Sequence, residues 1–135
     1  MEKADKKRIE QWIDGMNAFN STPGFGTTRV LFTEPEIRNR KYVKDEMKKL
    51  GLVVTEDAIG NIFATLIGSE PQEAPVWTGS HIDTVLNAGK FDGMAGVVCG
   101  MEALRLIKES GLRHKRSLTV VVYTSEEPTR FGLSC

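Results

Sequence analysis

Apolar residues that recur every three or four positions predict three amphipathic helices along the chain. The first covers residues 5–18. The second covers residues 33–51, where Thr33 and Glu36 form a capping-box pattern at the start and a glycine follows the last apolar position. The third covers residues 94–110, whose apolar residues form one continuous face that we expect to be buried.

Four short runs rich in β-branched and apolar residues predict strands. Residues 52–55 and 61–67 are separated by a turn sequence, which predicts an antiparallel hairpin. Residues 75–81 and 118–124 flank the third helix, and this strand–helix–strand order predicts two parallel strands joined by a right-handed crossover. We therefore predict an α/β fold in which a mixed β-sheet is flanked by helices.

The composition is that of an ordinary globular protein and excludes several classes of function. Basic and acidic side chains are balanced at 18 each, so the chain lacks the positive charge of a nucleic-acid-binding protein. No apolar run is long enough to cross a membrane, and the N-terminal residues lack the apolar core of a signal peptide, which predicts a cytoplasmic protein. With only Cys99 and Cys135, neither a disulfide framework nor a thiolate zinc site is expected.

Candidate chemistry gathers where the third and fourth strands end. His81 and Asp83 follow one strand, Glu126 and Glu127 follow the other, and Asp92 precedes the crossover helix. Ligands of open α/β sheets bind beyond the carboxyl ends of the strands, so we expect these five side chains to converge. Four carboxylates would repel one another unless a divalent metal ion supplied the opposing charge. Imidazole together with carboxylate suits Zn²⁺ or Mn²⁺ rather than Ca²⁺.

The spacing within each pair predicts different roles. If the strand continues to Asp83, its carboxylate lies on the same side as His81 and can fix the tautomer of the imidazole. Adjacent residues such as Glu126 and Glu127 point in opposite directions along a strand, so one can bind metal while the other faces an attacking water. Each feature also has an ordinary structural explanation, namely a chance His-x-Asp, a solvated turn or a helix cap. His114 lies before the fourth strand and is expected at the surface, far from these groups.

Two segments resemble the amidohydrolase branch of the M20 metallopeptidase family, whose members include allantoate and ureidoglycolate amidohydrolases and N-carbamoyl-L-amino acid hydrolases. They are GSHIDTVLNAGKFDGMAGVVCGMEAL (79–104) and YTSEEPTRFG (123–132). The similarity extends upstream through GTTRVLFTEPEIRNR and LGLVVTEDAIGNIFA. The short step from His81 to Asp92 is similar to this branch rather than to the peptidases and deacylases, and EEPTRFG is most similar to the ureidoglycolate enzymes.

The resemblance implies a dinuclear metal site. In it His81 binds one metal ion, Asp92 bridges two and Glu127 binds the other, with Mn²⁺ or Zn²⁺ as the expected ions and Co²⁺ or Ni²⁺ as further options. Glu126 is implied as the general base for a metal-bridged water, and Asp83 as the support of His81. A cis peptide bond between Asp92 and Gly93 is also implied.

The resemblance further implies hydrolysis of a linear amide C–N bond in a small ureido or carbamoyl acid. Two alternatives stay open: an aminoacylase or dipeptidase of the same family, and an inactive remnant that serves as a binding module. Residues 1–135 would then be the N-terminal portion of a zinc-peptidase-like catalytic domain. The remaining histidines and a lid and dimerisation domain would lie in later sequence, so we expect the longer protein to be a homodimer and this chain alone to be inactive.

Overall fold

The computed structural model describes residues 3–128, which contain three helices and four strands. The helices are α1 (Lys6–Asn17), α2 (Glu34–Lys49) and α3 (Met94–Glu109); the strands are β1 (Val53–Glu56), β2 (Ile62–Leu66), β3 (Val76–His81) and β4 (Leu118–Tyr123). Every element predicted from the hydrophobic pattern is present, with small shifts at the ends. No helix among these residues is long and apolar enough to cross a membrane.

The four strands form one mixed sheet in the order β1-β2-β4-β3. Strand β2 runs antiparallel to both β1 and β4, whereas β3 and β4 are parallel neighbours. The helix α3 connects these two parallel strands, so their carboxyl ends lie side by side at the same end of the sheet. The prediction of an α/β fold with a mixed sheet is confirmed.

Residues of all three helices share one hydrophobic core with alternate residues of β2 and β4. Glycines on α3 allow this helix to lie close to the sheet, because a Cβ atom at Gly96 would lie 2.6 Å from the Cβ of Ser80. On the opposite face, Phe63 and Trp77 contact each other with ring centroids 5.5 Å apart, and Trp77 is 54% exposed.

The start of α2 differs from the predicted capping box. The Thr33 hydroxyl donates to the carbonyl of Val30 at 2.6 Å instead of accepting from the helix. Glu36 does reach back, but its carboxylate accepts from the amide of Phe32 at 3.2 Å and is completely buried beside Arg40. Thr33 is the N-cap residue as predicted, but the reciprocal side-chain hydrogen bonds of a capping box are absent, because the Thr33 hydroxyl binds Val30 and the Glu36 carboxylate binds Phe32 and Arg40.

Candidate metal centre

The imidazole of His81 stands at the end of β3, where it is buried. Its Nδ1 atom lies 3.0 Å from the main-chain carbonyl oxygen of Asp83 and 3.6 Å from a carboxylate oxygen of the same residue. The strand ends at His81, so the chain turns and presents the Asp83 carbonyl to the ring as well as the expected carboxylate. With the Nδ1 proton donated to that carbonyl, the Nε2 atom of a neutral imidazole is available as a metal ligand.

Asp83 connects the ends of the two parallel strands. Its side chain is only 1% exposed, and one carboxylate oxygen accepts a hydrogen bond from the main-chain amide of Glu127 at 3.2 Å. The other carboxylate oxygen is buried and has no hydrogen-bond partner. Asp83 thus contacts His81 on β3 and the segment after β4 at the same time, which fixes the distance between them.

The two glutamates after β4 do not diverge as strand geometry predicts. The strand ends at Tyr123, and Ser125 takes a left-handed conformation with φ of 65°. After this reversal the Glu126 carboxylate lies 3.3 Å from Nε2 of His81, while Glu127 is half-buried beside the same imidazole. Both carboxylates therefore approach one histidine from the same loop.

Asp92 completes a group of three potential metal ligands. One ligand atom from each of His81, Asp92 and Glu127 lies within 4.8 Å of the other two. Gly93 makes this approach possible, because a Cβ atom there would lie 2.5 Å from Cε1 of His81, and its φ of 64° suits glycine. The peptide bonds within residues 3–128 are all trans, so the expected cis bond between Asp92 and Gly93 is absent.

The electrostatics of the group fit a bound cation. Burial lowers the pKa of His81, but its hydrogen bonds to Asp83 and the nearby Glu126 carboxylate outweigh this effect and raise the pKa to about 9. Burial raises the pKa of Glu127, and the charge of Asp92 raises it further. One imidazole and two mutually repelling carboxylates are a donor set that suits a divalent transition metal ion.

An open pocket of about 520 Å³ lies beside His81 and is lined by Ser80, His81, Tyr123 and Glu126. Sequence reasoning did not single out Ser80 or Tyr123. The register of the parallel pair contained the information for Tyr123, which lies directly beside His81. His114 takes no part: it precedes β4, and its Nδ1 atom lies 2.8 Å from the carbonyl oxygen of Arg116. Residues 129–132 of the EEPTRFG segment and Cys135 lie outside the described residues.

Comparison with known proteins establishes the family. Residues 61–133, more than half of the chain, match the family model for peptidase family M28. The chain belongs to peptidase family M28. The resemblance seen in the sequence named family M20, whereas the family model that matches is that of peptidase family M28. The likeness to the ureido and carbamoyl amidohydrolases is confirmed by the relatives of this M28 chain.

Among these relatives, ureidoglycolate hydrolase of Arabidopsis thaliana is 47% identical over 97% of this chain and 28% of its own length. N-carbamoyl-L-amino-acid amidohydrolase of Paenarthrobacter aurescens is 38% identical over 98% of this chain and 32% of its own length. The crystal structure of AtUAH in complex with glyoxylate superposes with a TM-score of 0.94 and 46% identity, covering 98% of this chain and 31% of that one. The M28 chain therefore spans about a third of the length of the relatives it matches.

Proposed function

We propose that this chain belongs to a metal-dependent amidohydrolase that cleaves a linear amide C–N bond in a ureido or carbamoyl acid. The observation that carries the proposal is the convergence of His81, Asp92 and Glu127 within 4.8 Å at the carboxyl end of the sheet. The similarity to a ureidoglycolate hydrolase and an N-carbamoyl-L-amino-acid amidohydrolase supports the substrate class.

In this proposal His81, Asp92 and Glu127 would hold two divalent metal ions, Mn²⁺ or Zn²⁺, and Asp92 would serve both. Such ions, when bound, polarise the scissile carbonyl and lower the pKa of water. Asp83 holds the imidazole through the Nδ1 contact, which leaves Nε2 directed at the site. Because Asp83 also binds the Glu127 amide, the same residue orients two of the three ligands.

We assign the role of general base to Glu126. It lines the open pocket, and its carboxylate lies 3.3 Å from Nε2 of His81. Glu126 takes a proton from the attacking water as the new C–O bond forms, and it returns that proton to the departing nitrogen as the C–N bond breaks. No net proton is gained or lost by the side chain, so Glu126 is ready for another turnover.

Within the substrate class we propose ureidoglycolate. The EEPTRFG segment and the 47% identity to the Arabidopsis ureidoglycolate hydrolase support this choice over allantoate and the N-carbamoyl amino acids. We further propose that residues 1–135 form part of the catalytic domain and that the complete enzyme is a homodimer. Both of these extensions rest on the resemblance alone.

A chimeric enzyme tests the proposal. The segment of Arabidopsis ureidoglycolate hydrolase that matches this chain is replaced by the chain itself, and ammonia release is measured with Mn²⁺ on ureidoglycolate, allantoate and an N-carbamoyl amino acid. We expect turnover with ureidoglycolate that a chelator abolishes and added Mn²⁺ restores. Glu126→Gln should retain metal but lose almost all turnover, whereas Glu73→Gln, at an exposed position, should have no effect. A folded, metal-loaded chimera that is inactive on all three compounds would contradict the proposal.

A further inference from the structure

Arg29 is a completely buried arginine that contacts the residues on both sides of Asp83. Its side-chain Nε donates to the carbonyl of Ile82 at 3.0 Å. Its main-chain amide donates to the Thr84 hydroxyl at 2.7 Å, and the Thr84 amide donates to the Arg29 carbonyl at 3.0 Å. One residue from the loop ahead of α2 therefore holds the backbone immediately before and immediately after Asp83.

A buried guanidinium seldom serves only to hold backbone in place, because removal of its charge from water is unfavourable without negatively charged partners. Burial lowers the pKa of Arg29 to about 10, so the side chain still carries its charge at neutral pH. Its charge interacts with two buried carboxylates, those of Glu36 and Asp83. The Nη2 atom of Arg29 and the Oδ1 atom of Asp83 are both buried without a hydrogen-bond partner. The two oppositely charged side chains therefore each keep an unpaired polar atom, a donor on Arg29 and an acceptor on Asp83.

Asp83 contacts two of the three candidate metal ligands directly. Its carbonyl faces Nδ1 of His81, and its carboxylate accepts from the Glu127 amide. A displacement of Asp83 would therefore move two of the three ligand side chains. The third ligand, Asp92, has no hydrogen bond to this segment in the part of the chain that the structure describes.

We propose that Arg29 is a positioning residue for the metal centre: it holds the 82–84 segment so that Asp83 can orient His81 and Glu127. This inference rests on the proposed function, since it assumes that His81 and Glu127 bind metal. Arg29 also has a purely structural contact, a donation to the Met16 carbonyl near the end of α1 at 3.4 Å. The test must separate these two contributions.

The test compares Arg29→Met and Arg29→Lys with Arg105→Met in the complete 135-residue chain. Arg105 is a matched control, because it is also buried and ion-paired but interacts with Glu102 and Glu109 on α3. Co²⁺ affinity is measured by calorimetry, and the visible Co²⁺ absorption reports the coordination geometry. Hydrogen exchange of the Thr84 and Glu127 amides, relative to core amides of β2 and β4, gives a readout that does not depend on metal.

We expect Arg29→Met to weaken Co²⁺ binding by about 10–100-fold, the usual effect of losing a partner behind a metal ligand. It should also change the absorption spectrum and selectively accelerate exchange at Thr84 and Glu127. Arg29→Lys keeps the charge and should recover part of both effects, and it replaces the methionine variant if that variant does not fold. Arg105→Met should lower stability without any of these changes.

Equal Co²⁺ affinity and unchanged relative exchange in a folded Arg29 variant would overturn the inference, and so would equal effects of Arg29→Met and Arg105→Met. If the unaltered chain binds no Co²⁺ at all, His81, Asp92 and Glu127 do not hold a metal ion without ligands from later sequence. Hydrogen exchange then decides the positioning role by itself: selective acceleration supports it, and uniform or absent acceleration overturns it.

Discussion

Gly93 provides a direct test of how closely the backbone next to Asp92 approaches His81. A Cβ atom at this position would lie 2.5 Å from Cε1, 2.6 Å from Nδ1 and 2.6 Å from the main-chain oxygen of His81. These contacts are too short to be tolerated, and the oxygen belongs to the end of β3, which is paired with β4 and cannot swing aside. Gly93→Ala should therefore push the imidazole away from Asp92 and lower stability.

The magnitude follows from two separate contributions. An alanine at the φ of 64° and ψ of −51° of Gly93, a γ-turn conformation in which the Met94 amide donates to the Asp92 carbonyl, costs about 1–3 kcal/mol. Overpacking against the imidazole and the strand adds about 1–3 kcal/mol, so the expected loss of unfolding free energy is about 2–6 kcal/mol. Two other glycines separate these contributions: Gly111 has φ of 68° with open space around it, and Gly89 has open space and no positive φ.

The assay is urea denaturation followed by circular dichroism, with Co²⁺ titration of each folded variant. Gly111→Ala should lose about 1–2 kcal/mol, and Gly89→Ala should change by about 0.5 kcal/mol or less. Only Gly93→Ala should weaken Co²⁺ binding. If Gly93→Ala and Gly111→Ala differ by less than about 0.5 kcal/mol and bind Co²⁺ equally well, the close approach to His81 is refuted.

Three further predictions concern His81 and the exposed sheet. Because the pKa of His81 is raised to about 9, the metal-free chain should be most stable below the ordinary histidine pKa of about 6.5 and should lose that stability as the pH rises to about 9. The urea midpoint of unfolding should therefore fall across this pH range, and this pH dependence should be smaller in His81→Gln. An equal pH dependence in His81→Gln would contradict the assignment to His81. Because the raised pKa keeps His81 protonated at pH 7, binding of Zn²⁺ to its imidazole should release about one proton, seen as a dependence of the calorimetric heat on the ionisation enthalpy of the buffer. If Zn²⁺ binds with the same heat in every buffer, either the raised pKa of His81 or its role as a ligand is wrong. We expect the isolated chain to self-associate through β3, because Trp77 lies exposed on this edge strand. Trp77→Lys should therefore reduce self-association measured by light scattering, whereas Leu112→Lys, at an exposed position after α3, should not; equal effects would argue against association through β3.

The elements of the fold could be predicted because each has a clear period and a recognisable end. The order of β3, α3 and β4 was sufficient to bring His81, Asp92 and Glu127 to one edge of the sheet. The periodicity of apolar residues could not predict the path of the chain after a strand ends. The left-handed turn at Ser125 and the turn of the chain between His81 and Asp83 determine which atoms meet, and both depend on tertiary contacts rather than on local alternation.

The buried polar side chains were missed for a different reason. The apolar residues of the second predicted helix place Val43, Met47 and Leu50 on one face, and this pattern takes no account of polar residues. In the structure the same face continues through Glu36, Asn39 and Arg40, which are all buried. These three residues share the spacing of three and four positions with the apolar face, but a pattern of apolar residues does not include them. A charged residue in register with an apolar stripe is therefore a reason to look for a partner of opposite charge.

The two buried arginines near the site share one property that bears on its chemistry. Arg29 donates to the Ile82 carbonyl beside Asp83, and Arg40 donates to the Thr124 hydroxyl at 3.3 Å, just before the glutamate pair. Each cation thus holds the end of one parallel strand without contacting a candidate ligand. Among residues 3–128, no lysine or arginine forms an ion pair with Asp92 or Glu127. A direct ion pair would occupy the oxygens that a metal needs, whereas cations placed behind the strands can hold repelling carboxylates together and leave those oxygens free to bind it.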